Sequence, residues 1–171
     1  LADIPRPDQM LTVRRLLQDQ DALVRAAAAR YLEQTDLRTR VDLGWTLLED
    51  PARSVRLEAA RVLAPLSRQG LPERYRSQLN TALGEYRQAQ LVTADRPEAH
   101  LNLGLLAQAL GDASAAEAAY RTALRLDPAF TPGYANLADL YRGLDRDEQG
   151  EQVLREGLAA APDDPALHHA L

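Results

Sequence analysis

Apolar residues recur at helical spacing along most of this chain, and the sets of them repeat. Over 7–18 the apolar positions are Met10, Leu11, Val13 and Leu17, and over 21–34 they are Val24, Ala27, Ala28 and Tyr31. Over 36–49 they are Leu37, Val41, Trp45 and Leu48, and over 51–66 they are Val55, Ala59, Val62 and Leu66. Steps of three and four put each set on one side of an α-helix. Pro7 suits a first turn, Asp36 an N-cap and Pro51 a second first turn. The stretch SRQGLP, from Ser67 to Pro72, reads as a stop, a turn and a restart. A helix then runs to about Thr93, with Tyr75, Leu79, Ala82, Leu83, Tyr86 and Ala89 at helical spacing.

Two periods organise these helices. DQDALVRAAAARYL (19–32) returns as DPARSVRLEAARVL (50–63), so that Asp19, Val24, Arg25, Ala28, Ala29, Arg30 and Leu32 match Asp50, Val55, Arg56, Ala59, Ala60, Arg61 and Leu63. From position 97 the spacing is longer: 97–128 aligns on 131–162, with Asn102/Asn136, Leu103/Leu137, Leu106/Leu140, Glu117/Glu151, Arg121/Arg155 and Leu124/Leu158 identical. Gly104/Ala138, Ala116/Gly150 and Ala123/Gly157 stay small, Tyr120 is the large knob of a second helix, and Pro128 and Pro162 close each unit. A mid-helix glycine costs about 1 kcal/mol against alanine, so Gly104 implies a close approach, expected to be to Ala116. Ala82, Tyr86 and Ala89 stand one such period before Ala116, Tyr120 and Ala123, as a degenerate half-repeat would.

The longer period, with its closing proline, resembles the tetratricopeptide repeat. The shorter one, with its Asp, Val-Arg and small Ala pair, resembles HEAT repeats in a short form. These resemblances imply an all-α right-handed superhelix, an alpha solenoid of stacked helical hairpins. The expected organisation is a HEAT-like pair over 1–67, a bridging helix over 68–96 and a tetratricopeptide array over 97–171, made of 97–130, 131–164 and a truncated third repeat at 165–171. Resemblance to HEAT repeats implies a ladder in which Arg25 and Arg56 bond the aspartates of adjacent units. Resemblance to tetratricopeptide arrays implies a concave peptide groove lined by Leu101, Asn102, Leu105 and Gln108 of one repeat and Ala135, Asn136, Asp139 and Arg142 of the next. An asparagine amide there can donate to C=O and accept from N–H of an extended peptide. Members that clamp C-terminal carboxylates carry a groove lysine where this chain has Leu101 and Ala135, which argues against that specificity. His100 takes the place that Tyr134 fills in the next repeat. Beyond Leu137, Leu140, Leu154 and Leu158 only a short segment follows, which leaves self-association through that end open.

Composition narrows the functions. The 171 residues include 30 alanines and only 5% aromatics, which favours helices in close approach. All 20 basic residues are arginine, an effect of codon composition on this reading. Residues 86–171 hold 7 Arg against 13 acids, and such a charge repels phosphate backbones, so nucleic acid is not an expected partner. Cysteine is absent, which removes thiolate and disulfide chemistry. No apolar run approaches the roughly 20 residues that cross a bilayer, so membrane insertion is not expected and cytoplasm and periplasm stay open. Asp145, Asp147, Gln149, Gly150 and Glu156 sit at positions 1, 3, 5, 6 and 12 of a calcium loop. The register of the longer period, however, makes 148–156 helical, which would scatter those ligands. His100, His168 and His169 have no zinc-spaced carboxylate, and no serine has a histidine near it in sequence. No metal, cofactor or catalytic residue is therefore expected. The reading is a non-enzymatic protein- or peptide-binding scaffold. The alternative is a structural C-terminal tail of a larger bacterial enzyme, such as a periplasmic multihaem c-type cytochrome, for which the Leu1 start fits an excised piece.

Overall fold

The computed structural model describes residues 7–171, with side chains from Met10 onward. Among the described residues the α-helices follow in this order: α1 Pro7–Leu16, α2 Ala22–Tyr31, α3 Leu37–Gly44, α4 Arg53–Leu63, α5 Glu73–Leu91, α6 Pro97–Leu110, α7 Ala113–Leu126, α8 Thr131–Arg142, α9 Asp147–Ala160 and α10 Pro165–Ala170. Among the same residues there is no strand. The fold is all-α, built of stacked helical hairpins. It divides into two compact units, one ending at Tyr86 and one running from Arg87 to Leu171.

In the first unit α2, α3 and α4 each tighten into 3₁₀ turns, at Leu32–Gln34, Trp45–Glu49 and Ala64–Arg68. Pro65 lies in the last of these, where its missing N–H cannot continue an α-helical ladder. Asp36 caps α3 as expected, accepting from Thr39 N at 3.0 Å. Pro51 is outside α4, which begins at Arg53. The Asp50 carboxylate accepts from Ala52 N at 2.8 Å and holds the chain in a bend first.

The core of this unit is Val55, Ala59, Ala60, Val62, Leu63 and Leu66 against Leu32, Ala29 and Leu79, all buried. Leu11 and Leu37 depart from the expected apolar stripes and are exposed. Of the α2 stripe, Val24, Ala27 and Tyr31 instead line an apolar cavity of about 510 Å³ with Val13 and Leu16, while Ala26, Ala28 and Ala29 are buried. A period of 3.6 marks a face without saying what covers it.

The shorter period reappears as repeated polar geometry. Arg25 Nε and Nη2 donate to the Asp50 carboxylate at 2.8 and 2.9 Å, and Nη1 donates to Asp19 O at 2.7 Å and Gln20 O at 3.0 Å. Arg56 does the same one unit on: Nε and Nη2 donate to Glu85 at 2.9 and 2.6 Å, and Nη1 to Asp50 O and Pro51 O at 2.8 and 3.1 Å. Both guanidinium forks are filled from within the chain, so they staple successive turns. Their hydrogen bonds hold Asp50 below the ordinary 3.8 and Glu85 below the ordinary 4.5. A carboxylate whose folded pKa is depressed stabilises the fold above its unfolded value and loses that contribution as pH falls through the folded value. Acid unfolding of the chain is therefore expected to start below about pH 4.5. Asp50→Asn should flatten the pH dependence in that window while lowering stability at neutral pH, as measured by urea unfolding across a pH series.

In the second unit the longer period sets the turns. Gly111 ends α6 in the left-handed region at φ 81°, and Asp112 N donates to Ala107 O at 2.9 Å. The equivalent residue after α8 is Asp145 at φ 58°, with Arg146 N donating to Tyr141 O at 2.9 Å. Both close a helix by the same reversal, and aspartate tolerates that conformation better than most residues with a Cβ. Helix α9 then occupies Asp147–Ala160, so Asp147, Gln149, Gly150 and Glu156 are spread along a helix while Asp145 stays in the turn before it. The core is Ala116, Tyr120, Tyr134, Leu137, Ala138, Leu140, Tyr141, Val153, Leu154 and Leu167. A Cβ on Gly104 would collide with the Tyr120 ring at Cε1 and Cδ1, so the nearest neighbour of this glycine is that ring rather than Ala116. A Cβ on Gly157 would lie 2.8 Å from Tyr134 Cγ and 2.9 Å from Leu167 Cδ1, so this small residue lets α8 and α10 close over α9.

Candidate functional site

The residues expected to line a groove lie on α6 and α8, the first helices of successive hairpins, which pack on each other. Leu101, Asn102, Leu105 and Gln108 lie within one side of α6 at steps of one, three and three, and Ala135, Asn136, Asp139 and Arg142 repeat that side on α8, one period later. Leu101 and Ala135 rest partly buried against the core. Leu105, 42% exposed, presents an apolar surface beside them.

The polar members are partly tied. Asn102 Nδ2 donates to Gln90 Oε1 at 3.0 Å, and Asn136 Nδ2 donates to Pro132 O at 2.8 Å within its own helix. Each amide keeps its oxygen for an outside donor. Gln108 Oε1 accepts from the Tyr120 hydroxyl at 2.9 Å, which leaves the Gln108 NH₂ free to donate. Asp139 is exposed and pairs with Arg142 at 3.3 Å, and Arg142 also donates to Ala170 O. Arg142 is thereby committed to the neighbouring α10, whereas Asn102, Leu105, Gln108, Asn136 and Asp139 retain a face toward solvent.

One further set of residues is brought together by the fold, and its spacing is visible in the sequence. His100 Nε2 is 2.9 Å from Ala94 O, the Tyr134 hydroxyl donates to Pro128 O at 3.1 Å, and His168 Nε2 is 2.7 Å from Pro162 O. Rings at 100, 134 and 168 bond carbonyls at 94, 128 and 162, each one period apart. A carbonyl oxygen only accepts, so the histidine Nε2 atoms carry hydrogen and donate. His100 and His168 thus do the work of the tyrosine hydroxyl, fixing the loop that enters each first helix. His168 keeps this register in α10, which is capped by Asp164, accepting from Ala166 N and Leu167 N at 2.9 and 3.0 Å.

A second polar cluster joins α7 to α8. Arg121 donates to the Tyr141 hydroxyl at 2.7 Å, Tyr141 donates to Glu117 at 2.8 Å, and the Arg146 guanidinium stacks on the Tyr141 ring at 4.5 Å. Hydrogen bonding to Tyr141, reinforced by Arg121 and Arg146, lowers the Glu117 pKa, while burial raises that of Tyr141. These bonds run from α7 to α8 and the turn after it, so the cluster clamps adjacent hairpins. Among the described residues no group of three or more His, Cys, Asp or Glu side chains could hold a metal ion, and no helix is long and apolar enough to cross a membrane.

Comparison with known families matches residues 107–171 to a model described as tetratricopeptide repeat. No curated protein and no solved structure matches the chain.

Proposed function

We propose, from the premise that the C-terminal half of this chain carries tetratricopeptide repeats, that it is a non-enzymatic scaffold which binds an extended peptide segment of a partner protein along α6 and α8. Tetratricopeptide repeats are protein-interaction modules, and that much follows from the family. The observation that supports the finer reading is the paired stripe: Asn102 and Asn136, one period apart, each with an amide oxygen not used among the described residues, beside the exposed Leu105 and Gln108. Two amides one repeat apart on packed helices can accept from successive backbone N–H groups of an extended strand. Leu105 supplies apolar contact area, and the absence of lysine from the whole sequence leaves no groove ammonium for a terminal carboxylate.

Peptides selected from a random displayed library provide the probe. The Asn102→Ala plus Asn136→Ala variant should bind the selected peptides at least about 10-fold more weakly, the loss expected for two net hydrogen bonds of about 1 kcal/mol each. Circular dichroism should show the helix content unchanged. Retained affinity in the double variant would move the site off this face.

A further inference from the structure

On another face of α6, about a third of a helical turn from Asn102 and Leu105 at about 100° per residue, lies a cavity of about 260 Å³. Leu103, Leu106, Ala107 and Leu110 of α6, Ala115 and Ala119 of α7, Arg87 and Asp112 line it. Leu106 is the buried floor, and Arg87, Asp112 and Ala115 form an exposed rim. The Arg87 side chain makes no hydrogen bond or ion pair among the described residues.

The repeat explains the space. Shifting each lining residue by one period gives Arg121, Leu137, Leu140, Tyr141, Leu144, Arg146, Gln149 and Val153, the junction of the next hairpin. There the position of Ala107 is held by Tyr141, only 1% exposed, whose hydroxyl accepts from Arg121 at 2.7 Å. Ala115 stands for Gln149 and Ala119 for Val153, so three side chains have been cut back around one gap. The arginine that would meet the hydroxyl is kept as Arg87 and has nothing to meet.

We propose that this cavity receives the phenol ring of a tyrosine presented by a partner protein, with Arg87 donating to its hydroxyl as Arg121 donates to Tyr141. The size fits: an apolar cavity of about 150 Å³ already admits benzene, and this one is larger, with polar groups at the rim. Asp112 on that rim argues against a charged guest such as a phosphorylated or carboxylated ring. Its carboxylate, which accepts from Ala115 N at 3.0 Å and from the Ser114 hydroxyl at 2.8 Å, repels an anion. The guest is a neutral phenol.

The probe is 4-methylphenol, the tyrosine side chain as a free molecule, titrated into the whole chain and followed by methyl NMR, with toluene as the control lacking the hydroxyl. Shifts should localise to Leu106 and Leu110, and toluene should bind several-fold more weakly than 4-methylphenol. Ala107→Tyr should fill the cavity from within, abolish the shifts and raise the melting temperature. Ala119→Val, a smaller change that any folded helix tolerates, should weaken binding at least several-fold. Arg87→Ala should bring 4-methylphenol down to the affinity of toluene. The Asn102→Ala plus Asn136→Ala variant should bind 4-methylphenol unchanged, which separates this site from the groove. Absence of saturable shifts in the wild-type chain, or equal binding by Ala119→Val and the wild type, would overturn the assignment.

Discussion

Replacing Tyr120 with alanine is expected to lower the stability of the C-terminal unit by about 3–5 kcal/mol, the range for removing a large buried aromatic side chain. Tyr120 is fully buried, its ring lies against the Gly104 backbone, and its hydroxyl donates to Gln108 at 2.9 Å. Deleting the ring leaves a void that Gly104, having no side chain, cannot fill. Urea unfolding followed by far-UV circular dichroism measures the loss, and a change under about 1 kcal/mol would mean that the hairpin does not depend on this knob. Tyr120→Phe keeps the ring and removes one hydrogen bond, so about 1 kcal/mol is expected from it. The same pair of variants reads out a pH effect. Burial, with a smaller push from the Asp139 carboxylate, raises the Tyr120 hydroxyl to about 12. The neutral form is thus favoured in the folded state, and its contribution is whole below about pH 10, the unfolded value, and fades as pH climbs toward the folded one. Alkaline unfolding should therefore be displaced upward in pH in Tyr120→Phe relative to the wild type, once each is normalised to its stability at neutral pH.

Leu167→Ala is expected to cost about 2–4 kcal/mol, an effect out of proportion to a short terminal helix. Leu167 is fully buried in the same cluster as Leu154, Leu137 and Tyr134, and its Cδ1 would be 2.9 Å from a Cβ on Gly157. Helix α10 packs on both α8 and α9. The segment that follows the second full repeat is short, yet Leu137, Leu140 and Leu154 are buried to 4% exposure or less, and only Leu158 of the four stays partly open. In a stacked array each hairpin is stabilised by its neighbour, so loosening the last element lowers the stability of the one before it. Amide exchange should quicken through α10 and the second half of α9 in Leu167→Ala, and protection there equal to the wild type would show that α10 is dispensable.

Much of the fold is legible in the residue pattern. Both periods, the main helices and the cap at Asp36 follow from side-chain chemistry within a few positions along the chain. The end of α6 at Gly111 is of this kind too, since a left-handed residue is cheapest without a Cβ. The residue pattern leaves open whatever depends on a distant neighbour. Leu11 and Leu37 fit apolar stripes, yet they stay exposed. Gly104 announced a close approach but not that the Tyr120 ring makes it. The groove residues could be placed on one stripe, but not the bonds from Asn102 to Gln90 or from Arg142 to Ala170 that decide which of their polar atoms remain free.

A series of α-helical hairpins with two distinct repeat spacings follows from residue order alone, because helix periodicity and turn chemistry are local properties of the backbone. That Arg25 and Arg56 direct their donors inside the chain, that His168 joins His100 and Tyr134 in one series of rings, and that Ala107 lines a cavity where Tyr141 is buried were settled only by packing. Those outcomes depend on which side chains meet across helices, and the volume between two helices is set by both of them together.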